Sequence, residues 1–453
     1  MPGWIRQGLI AIGVVVACWG GAIVWWRASG RTPDAREWMS LLFGLPLALL
    51  LVGFVGARWS ARRAAADDAA ARAAAAPVVD AGHASVATPY LAILATSLRT
   101  PHADSPEALA AAIAANRARP DLDRELVDGD GFPVMCARCP DAHDDALRED
   151  VGDWLAARGA TDPQYSDEQW RALTLATSVA AELAGRAAIE WIVHDDAAPR
   201  LQVLPLLPVD WSGAQRDAAA AWLLHTVAQS GWKGETALVV PDADPAAGIV
   251  KLAAVAGGDA TPGVTLVVAC ASHVGDDTVA RWASERTLFT AAQPQGMIPG
   301  EGAAGLLVAG AALARASDGL AVALLAPVGE AQDDAQPGAR RRGGGSVLEG
   351  LVGHVLADAH VDPADVAMIV ADMGHRSRQV YELMEYAATT MRQLDGSEDV
   401  ISVGTAVGNA GIVPFVTALA LAPHYAAGRD APVLCIASDL PGRRLVTLVR
   451  PLA

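Results

Sequence analysis

The sequence predicts a layered α/β fold preceded by a two-helix transmembrane hairpin. Three observations carry that expectation. Two uncharged apolar runs stand near the start, at residues 8–26 and 39–57. Further along, apolar runs of strand length alternate with helical stretches, the pattern of helices layered on a sheet. A glycine-rich loop, Gly296 to Gly305, runs straight into one of those apolar runs, ending at Val308.

The hairpin comes first. Each apolar run is long enough to cross a hydrocarbon layer of about 30 Å at about 1.5 Å per residue. Trp25, Trp26, Trp38 and Trp59 stand at the ends, where membrane-interface aromatics belong. A cleaved signal peptide or a buried core helix would also account for one such run, but a second run argues against both. Arg6, Arg58, Arg62 and Arg63 flank the hairpin, against Arg27, Arg31 and Arg36 in its turn. The positive-inside rule then places the flanks, and the rest of the chain, on the cytoplasmic side of the membrane. Residues 1–60 form the hairpin unit, and the alanine-rich stretch 61–87, which has no apolar face to bury, is a tether.

Beyond the tether the composition suits a large core: of 453 residues 52% are apolar and 19% charged. The net charge of −17 argues against a nucleic-acid partner, which needs a basic face. Tyr90 to Ala95 reads as the opening strand. Residues 106–116 read as a helix with Ser105 as N-cap and Pro106 at its first position. An irregular region rich in Asp, Gly and Pro follows, holding Cys136-Ala-Arg-Cys139. That pair suggests half a zinc site or a redox pair, with His143 nearby, but no second pair completes a site. Two ordinary loop thiols are the alternative, and no metal or cofactor is expected. Residues 168–184 are helical, Leu201 to Pro208 is a strand near an edge because of its prolines, and 213–230 is an amphipathic helix burying Trp222, Leu223 and Val227. Thr236 to Val240 is a buried strand, 246–256 a helix, and Val264 to Ala269 a strand. Residues 329–345 are a polar, flexible linker whose Arg340-Arg-Arg342 is a solvated run. A helix at 346–359 and a strand at Val366 to Val370 follow.

Gly300, Gly302 and Gly305 spell a dinucleotide-binding letter pattern, but Pro294 and Pro299 break the strand that such a loop requires before it. Gly296 to Val308 instead resembles the loop-and-strand signature of the thiolase-like condensing enzymes, the β-ketoacyl synthases. Ser402 to Gly411 with the following Val416 to Leu421 is similar to the family's late glycine loop and helix. Val433 to Gly442 with Leu445 to Val449 resembles its closing strand, loop and strand. The three stretches occur in the family's order. The resemblance implies a thiolase-like layered fold of two pseudo-repeated halves, 88–328 and 346–453, and a homodimer by analogy.

The family also implies a nucleophilic cysteine on a strand-to-helix elbow and two downstream histidines, or a His/Asn pair. The elbow falls at Asp242 to Gly248, where there is no cysteine; Cys270 is a packed residue at a strand end. Asp372 stands at the first histidine position, with His375 displaced by three, and Thr405 at the second. No catalytic residue is therefore expected. A cysteine-free site of Asp372, His375 and Glu382 is the alternative, because spacing alone does not exclude it. The whole arrangement of hydrophobic start, alanine-rich stalk and degenerate core resembles the adaptor proteins of type VI secretion lipase effectors. That implies a non-enzymatic, membrane-anchored interaction protein whose partners are a lipase effector and the secretion spike. The second reading is an acyl-transferring or acyl-binding enzyme at the membrane.

Overall fold

The computed structural model describes residues 90–159, 163–193, 198–257, 263–310, 320–332 and 347–452, with Trp19 and Leu313. Apart from Trp19, the expected spans 8–26 and 39–57 and the tether 61–87 lie outside the described residues. So does most of the expected linker, residues 333–345. Everything below concerns the unit Ala87–Ala453.

The chain opens with strand β1 (Leu91–Arg99) and helix α1 (Pro106–Ala114), whose Ser105 side chain accepts the Ala108 N–H as expected. A hairpin of β2 (Asp121–Val127) and β3 (Pro133–Cys136) replaces the expected irregular region. Its turn is closed by Asp128, which accepts the Asp130 and Phe132 N–H groups; Asx turns of this kind hide inside an Asp/Gly-rich stretch. Then come α2 (Asp145–Ala156), α3 (Asp167–Val193), β4 (Arg200–Leu206), α4 (Gly213–Gln229) and β5 (Thr236–Leu238). The expected helix at 246–256 is two short ones, α5 (Pro245–Val250) and α6 (Leu252–Gly257), divided at Lys251. Next are β6 (Gly263–Ser272), α7 (Asp276–Ser284), β7 (Glu301–Gly310), β8 (Ala323–Leu325) and β9 (Gly329–Gln332). The last third is α8 (Val347–Asp358), β10 (Met368–Ala371), α9 (Ser377–Thr390), β11 (Val400–Ser402), α10 (Gly404–Val407), α11 (Val413–Arg429), β12 (Val433–Ala437) and β13 (Arg443–Arg450).

All strands but β2 and β3 join one sheet, in the order β11-β10-β12-β13-β8-β1-β7-β6-β4-β5, with β9 beside β13. One pairing pattern occurs twice. β4 is parallel to β5 and β6, β6 is antiparallel to β7, and β7 to β1. Likewise β10 is parallel to β11 and β12, β12 is antiparallel to β13, and β13 to β9. β8 bridges β1 and β13 and so joins the two halves. The expected linker therefore begins with a strand, β9, in which Glu330 sits opposite Leu445.

Alternation along each strand sends side chains to two faces. In β6, Val264, Leu266, Val268 and Cys270 enter an outer cluster with α3 and α4, while Val267, Ala269 and Ala271 enter a central one. In β12, Leu434 and Ile436 face α8 and α9, while Val433, Cys435 and Ala437 face the centre. The centre is filled by α5, α6 and α11. α11 is buried over nearly its whole circumference, as the apolar run Val413 to Ala422 demands. The two halves of the one sheet lie on either side of the central helices, giving five layers: helices, half-sheet, helices, half-sheet, helices.

β4 lies near an edge, as expected, with only β5 outside it. Pro205 is accommodated because β5 ends before reaching it, the last bond there being Val239 N–H to the Val203 carbonyl. Thr236 to Leu238 is half-buried rather than buried, and Val240 is 82% exposed. Among the described residues one helix, α3, is long and apolar enough to cross a membrane. It is instead a core helix, with Leu173, Val179 and Leu183 fully buried.

Candidate functional site

The topology brings four loops to one end of the central layer: the turn after β5, the segment after β6, the Gly408–Ile412 stretch and the 438–443 loop. Between them lies a cleft of about 560 Å³, within the usual range for small-molecule sites.

The turn after β5 is the elbow position. Asp244 is the N-cap of α5 there, accepting the Ala246 N–H at 3.0 Å, and Pro245 follows at the first helical position. A residue that caps a helix in this way is fixed by it. Asp244 also pairs with Arg443 at 2.6 Å, and Arg443 reaches Glu330 at 2.8 Å. Across the cleft Arg376 pairs with Asp439. With Asp210 and Arg281, three aspartates and three arginines border the space, so its formal charges cancel.

After β6 the chain is held by the glycine-rich loop. His273 N–H donates to the Gly300 carbonyl at 3.0 Å, and Asn409 N–H donates to the Ile298 carbonyl at 2.8 Å. The His273 Nδ1 meets the Asn409 carbonyl at 2.7 Å. A carbonyl only accepts, so Nδ1 carries the proton and Nε2 is left with its lone pair. Burial holds the His273 imidazole below the ordinary histidine range, partly offset by that carbonyl and by Asp210. The contact is close because no side chain intervenes: a Cβ on Gly300 would stand 2.0 Å from the Val407 carbonyl oxygen. Gly408, opposite it, has φ +73°, a conformation that L side chains rarely adopt.

The residues singled out from the sequence are distributed differently. Asp372 is 2% exposed and lies beneath the 438–443 loop. It accepts the Ser438 N–H at 2.7 Å and the Asp439 N–H at 3.2 Å. Burial, then the Asp439 charge, pushes its carboxyl up to about 7. Thr405 does not reach the cleft. Its hydroxyl donates to the Ser402 carbonyl at 2.6 Å, and it borders a separate cavity with His375 and Phe289. The four-residue helix α10 turns the chain between Thr405 and Gly408, so Asn409 is the residue delivered to the cleft. Glu382 faces Arg444 at 3.7 Å. Of Asp372, His375 and Glu382, His375 borders the cavity that Thr405 lines, and Asp372 and Glu382 are not in its lining. Cys270 borders the cleft, but its side chain packs in the outer layer, and burial pushes the thiol up to about 12. His273, Asn409, Asp244, Arg376 and Asp439 were missed by sequence reasoning. Only Asp244, an acidic residue just before Pro245, carried a local signal.

Cys136 and Cys139 are buried and separately engaged. The Cys136 thiol donates to Asp123 at 3.0 Å, and Asp123 is gripped by Arg138 at 2.6 Å. The Cys139 N–H donates to Glu301 at 2.6 Å. Among the described residues no three His, Cys, Asp or Glu side chains are grouped to hold a metal.

Five layers, a pairing pattern used twice and a cleft framed by the elbow and the late glycine loop define a thiolase-like fold. Solved structures agree. The chain is similar to the ketosynthase from module 6 of the bacillaene synthase of Bacillus subtilis 168, with a TM-score of 0.59 and 13% identity over 80% of this chain and 72% of that one. It is similar to the oxazolomycin ketosynthase domain OzmH KS7 of Streptomyces albus JA3453, with a TM-score of 0.55 and 12% identity over 81% and 74%. For the ishigamide ketosynthase/chain length factor the TM-score is 0.52, with 18% identity over 81% of this chain and 100% of that one. No protein-family model matches the chain, and no curated protein is significantly similar to it in sequence.

Proposed function

We propose that this chain is a membrane-anchored interaction protein that keeps the ketosynthase-like body without the condensing reaction. The observation that carries this is the elbow. Where acyl transfer needs an activated nucleophile at a helix N-terminus, the chain has Asp242-Ala-Asp-Pro245, and Asp244 is committed to capping α5 and to Arg443. Asp372 is likewise committed to two backbone N–H groups. Fold and chemistry separate readily, so a body of this kind can serve as a docking surface. Residues 8–26 and 39–57 anchor it as a two-span hairpin with the body in the cytoplasm, and a homodimer is the assembly. On the resemblance of the whole arrangement, the partners are a type VI secretion lipase effector and the spike that carries it.

The second reading, an acyl-transferring or acyl-binding protein, is favoured by the cleft itself, which opens at the position where condensing enzymes work. The two separate cleanly. Full-length protein is solubilised from membranes, incubated with an acyl-coenzyme A and weighed intact, and its tagged form is co-purified with co-expressed effector. The proposal expects an unmodified mass and a retained lipase. A stoichiometric acyl adduct, above all on Cys270, would replace it with the enzyme reading.

A further inference from the structure

His273 Nε2 is the unexplained group in the cleft. It makes no hydrogen bond among the described residues, its only polar ring contact being Nδ1 to the Asn409 carbonyl. It is also not among the side-chain nitrogens sealed from solvent without a partner, unlike His102 Nε2. It therefore opens on the space that the residue borders, which is the cleft. The ring is fixed from two other sides: Trp282 meets it edge-on at 5.1 Å, and the backbone N–H is bonded to Gly300. A fixed neutral imidazole offers one acceptor and nothing else.

The rest of the lining narrows what that acceptor meets. Met297, Ile412, Leu440 and Trp282 supply apolar surface. The bordering charges are three of each sign: Arg376 is tied to Asp439 and Arg443 to Asp244, while the remaining two, Asp210 and Arg281, are exposed to solvent. An anion or a cation buried in the cleft away from those two solvated groups would have to break a pair or be buried against its own sign, which is costly. An uncharged ligand avoids both costs.

We infer that the cleft binds an uncharged, largely apolar small molecule carrying a hydroxyl, whose hydrogen is donated to His273 Nε2. The molecule is a neutral alcohol in chemical class, and His273 is the residue that discriminates it from an ether or hydrocarbon of the same shape.

The test uses the full chain in lipid nanodiscs with ¹⁵N-labelled histidine. The His273 Nε2 resonance is identified by its loss in His273→Phe. The probes are 1-hexanol, its isomer pentyl methyl ether, hexanoate and hexylammonium. Free concentrations of the two volatile probes are set by vapour equilibrium, so partition into lipid does not matter. Hexanol is expected to shift the Nε2 resonance and to bind roughly five- to tenfold more tightly than the ether, the scale of one hydrogen bond in an apolar site. The two ions are expected to bind more weakly than either. On acidification the preference for alcohol disappears when His273 protonates, because Nε2–H then donates to alcohol and ether alike. Burial holds that transition below the ordinary histidine value of about 6.5. Equal affinity for hexanol and ether at neutral pH overturns the inference, as does tightest binding by hexanoate. So does a preference for hexanol that survives in His273→Phe. If that variant does not fold, the loss or persistence of the preference on acidification decides the matter in the unaltered protein.

Discussion

Arg171 on α3 grips Glu301 at the start of β7 through Nε and Nη2, which donate to its two carboxylate oxygens at 2.8 and 2.5 Å, and Glu301 has no exposed surface. The same carboxylate accepts the Ser272 hydroxyl at 2.8 Å and the Cys139 N–H at 2.6 Å. One side chain in the glycine-rich loop thus ties the outer helix, the end of β6 and the β2–β3 hairpin to the strand. Removing one partner of a buried pair leaves the other charge uncompensated. Glu301→Ala is expected to destabilise the body by about 3–5 kcal/mol in denaturant unfolding, and Arg171→Met with Glu301→Leu by less than either change alone. Additive costs would show that the pair is not coupled.

Gly300 is expected to resist any side chain. Its Cβ would collide with the Val407 and Gly408 backbone, which cannot swing aside as a side-chain tip does. Gly300→Ala should cost about 1–3 kcal/mol, the usual scale of overpacking. Gly353→Ala is the control: it lies in α8 with nothing within 4 Å of the added methyl, and should stabilise by about 0.5–1 kcal/mol.

Asp372 sets a pH dependence with an unusual sign. Its carboxyl is raised from 3.8 to about 7 in the folded protein, so the native state holds a proton that the unfolded chain has released. Its contribution is therefore favourable at low pH and is lost as pH rises from about 4 to about 7, beyond which the curve is flat. Asp372→Asn keeps an acceptor for the Ser438 N–H without the charge. Unfolding measured from about pH 5.5 to 7.5 should lose this downward slope in the variant, and at pH 8 the variant should be at least as stable as the parent. An unchanged slope would assign the dependence to another group.

The four cysteines of the body should be inert while it is folded. Burial raises all four thiols, with Asp123 adding to it at Cys136 and Glu301 at Cys139. The thiolate is the reactive form. Iodoacetamide at neutral pH should label none of Cys136, Cys139, Cys270 and Cys435 until denaturant is added, as read by peptide mass mapping. Fast labelling of Cys270 would mean that its side chain turns toward the cleft.

Long-range pairing explains what stayed hidden. The interval from 121 to 136 reads as irregular because Asp and Gly dominate it, yet Val134 and Leu126 pack against Trp282 and Val279 far along the chain. Asp372 looks like a substituted catalytic position until Ser438, 66 residues later, is seen to donate to it. Thr405 and Asn409 are equally polar members of one glycine-rich stretch, and only the turn of α10 decides which of them borders the cleft.

The sequence by itself determined the layers. The central strands at 264–269, 305–310, 366–370, 433–437 and 445–449, and the helix capped by Ser105, follow from local apolar runs and capping chemistry, because burial and backbone satisfaction are imposed residue by residue along an element. The order of the three glycine-rich stretches determined the thiolase-like arrangement. Only the tertiary structure decided the site. Whether His273 has a free nitrogen, whether Asp244 is a cap or a base, and whether Cys270 faces the cleft or the outer helices depend on which backbone carbonyl or charge arrives from a distant loop. That arrival is fixed by strand pairing across hundreds of residues, which no local pattern encodes.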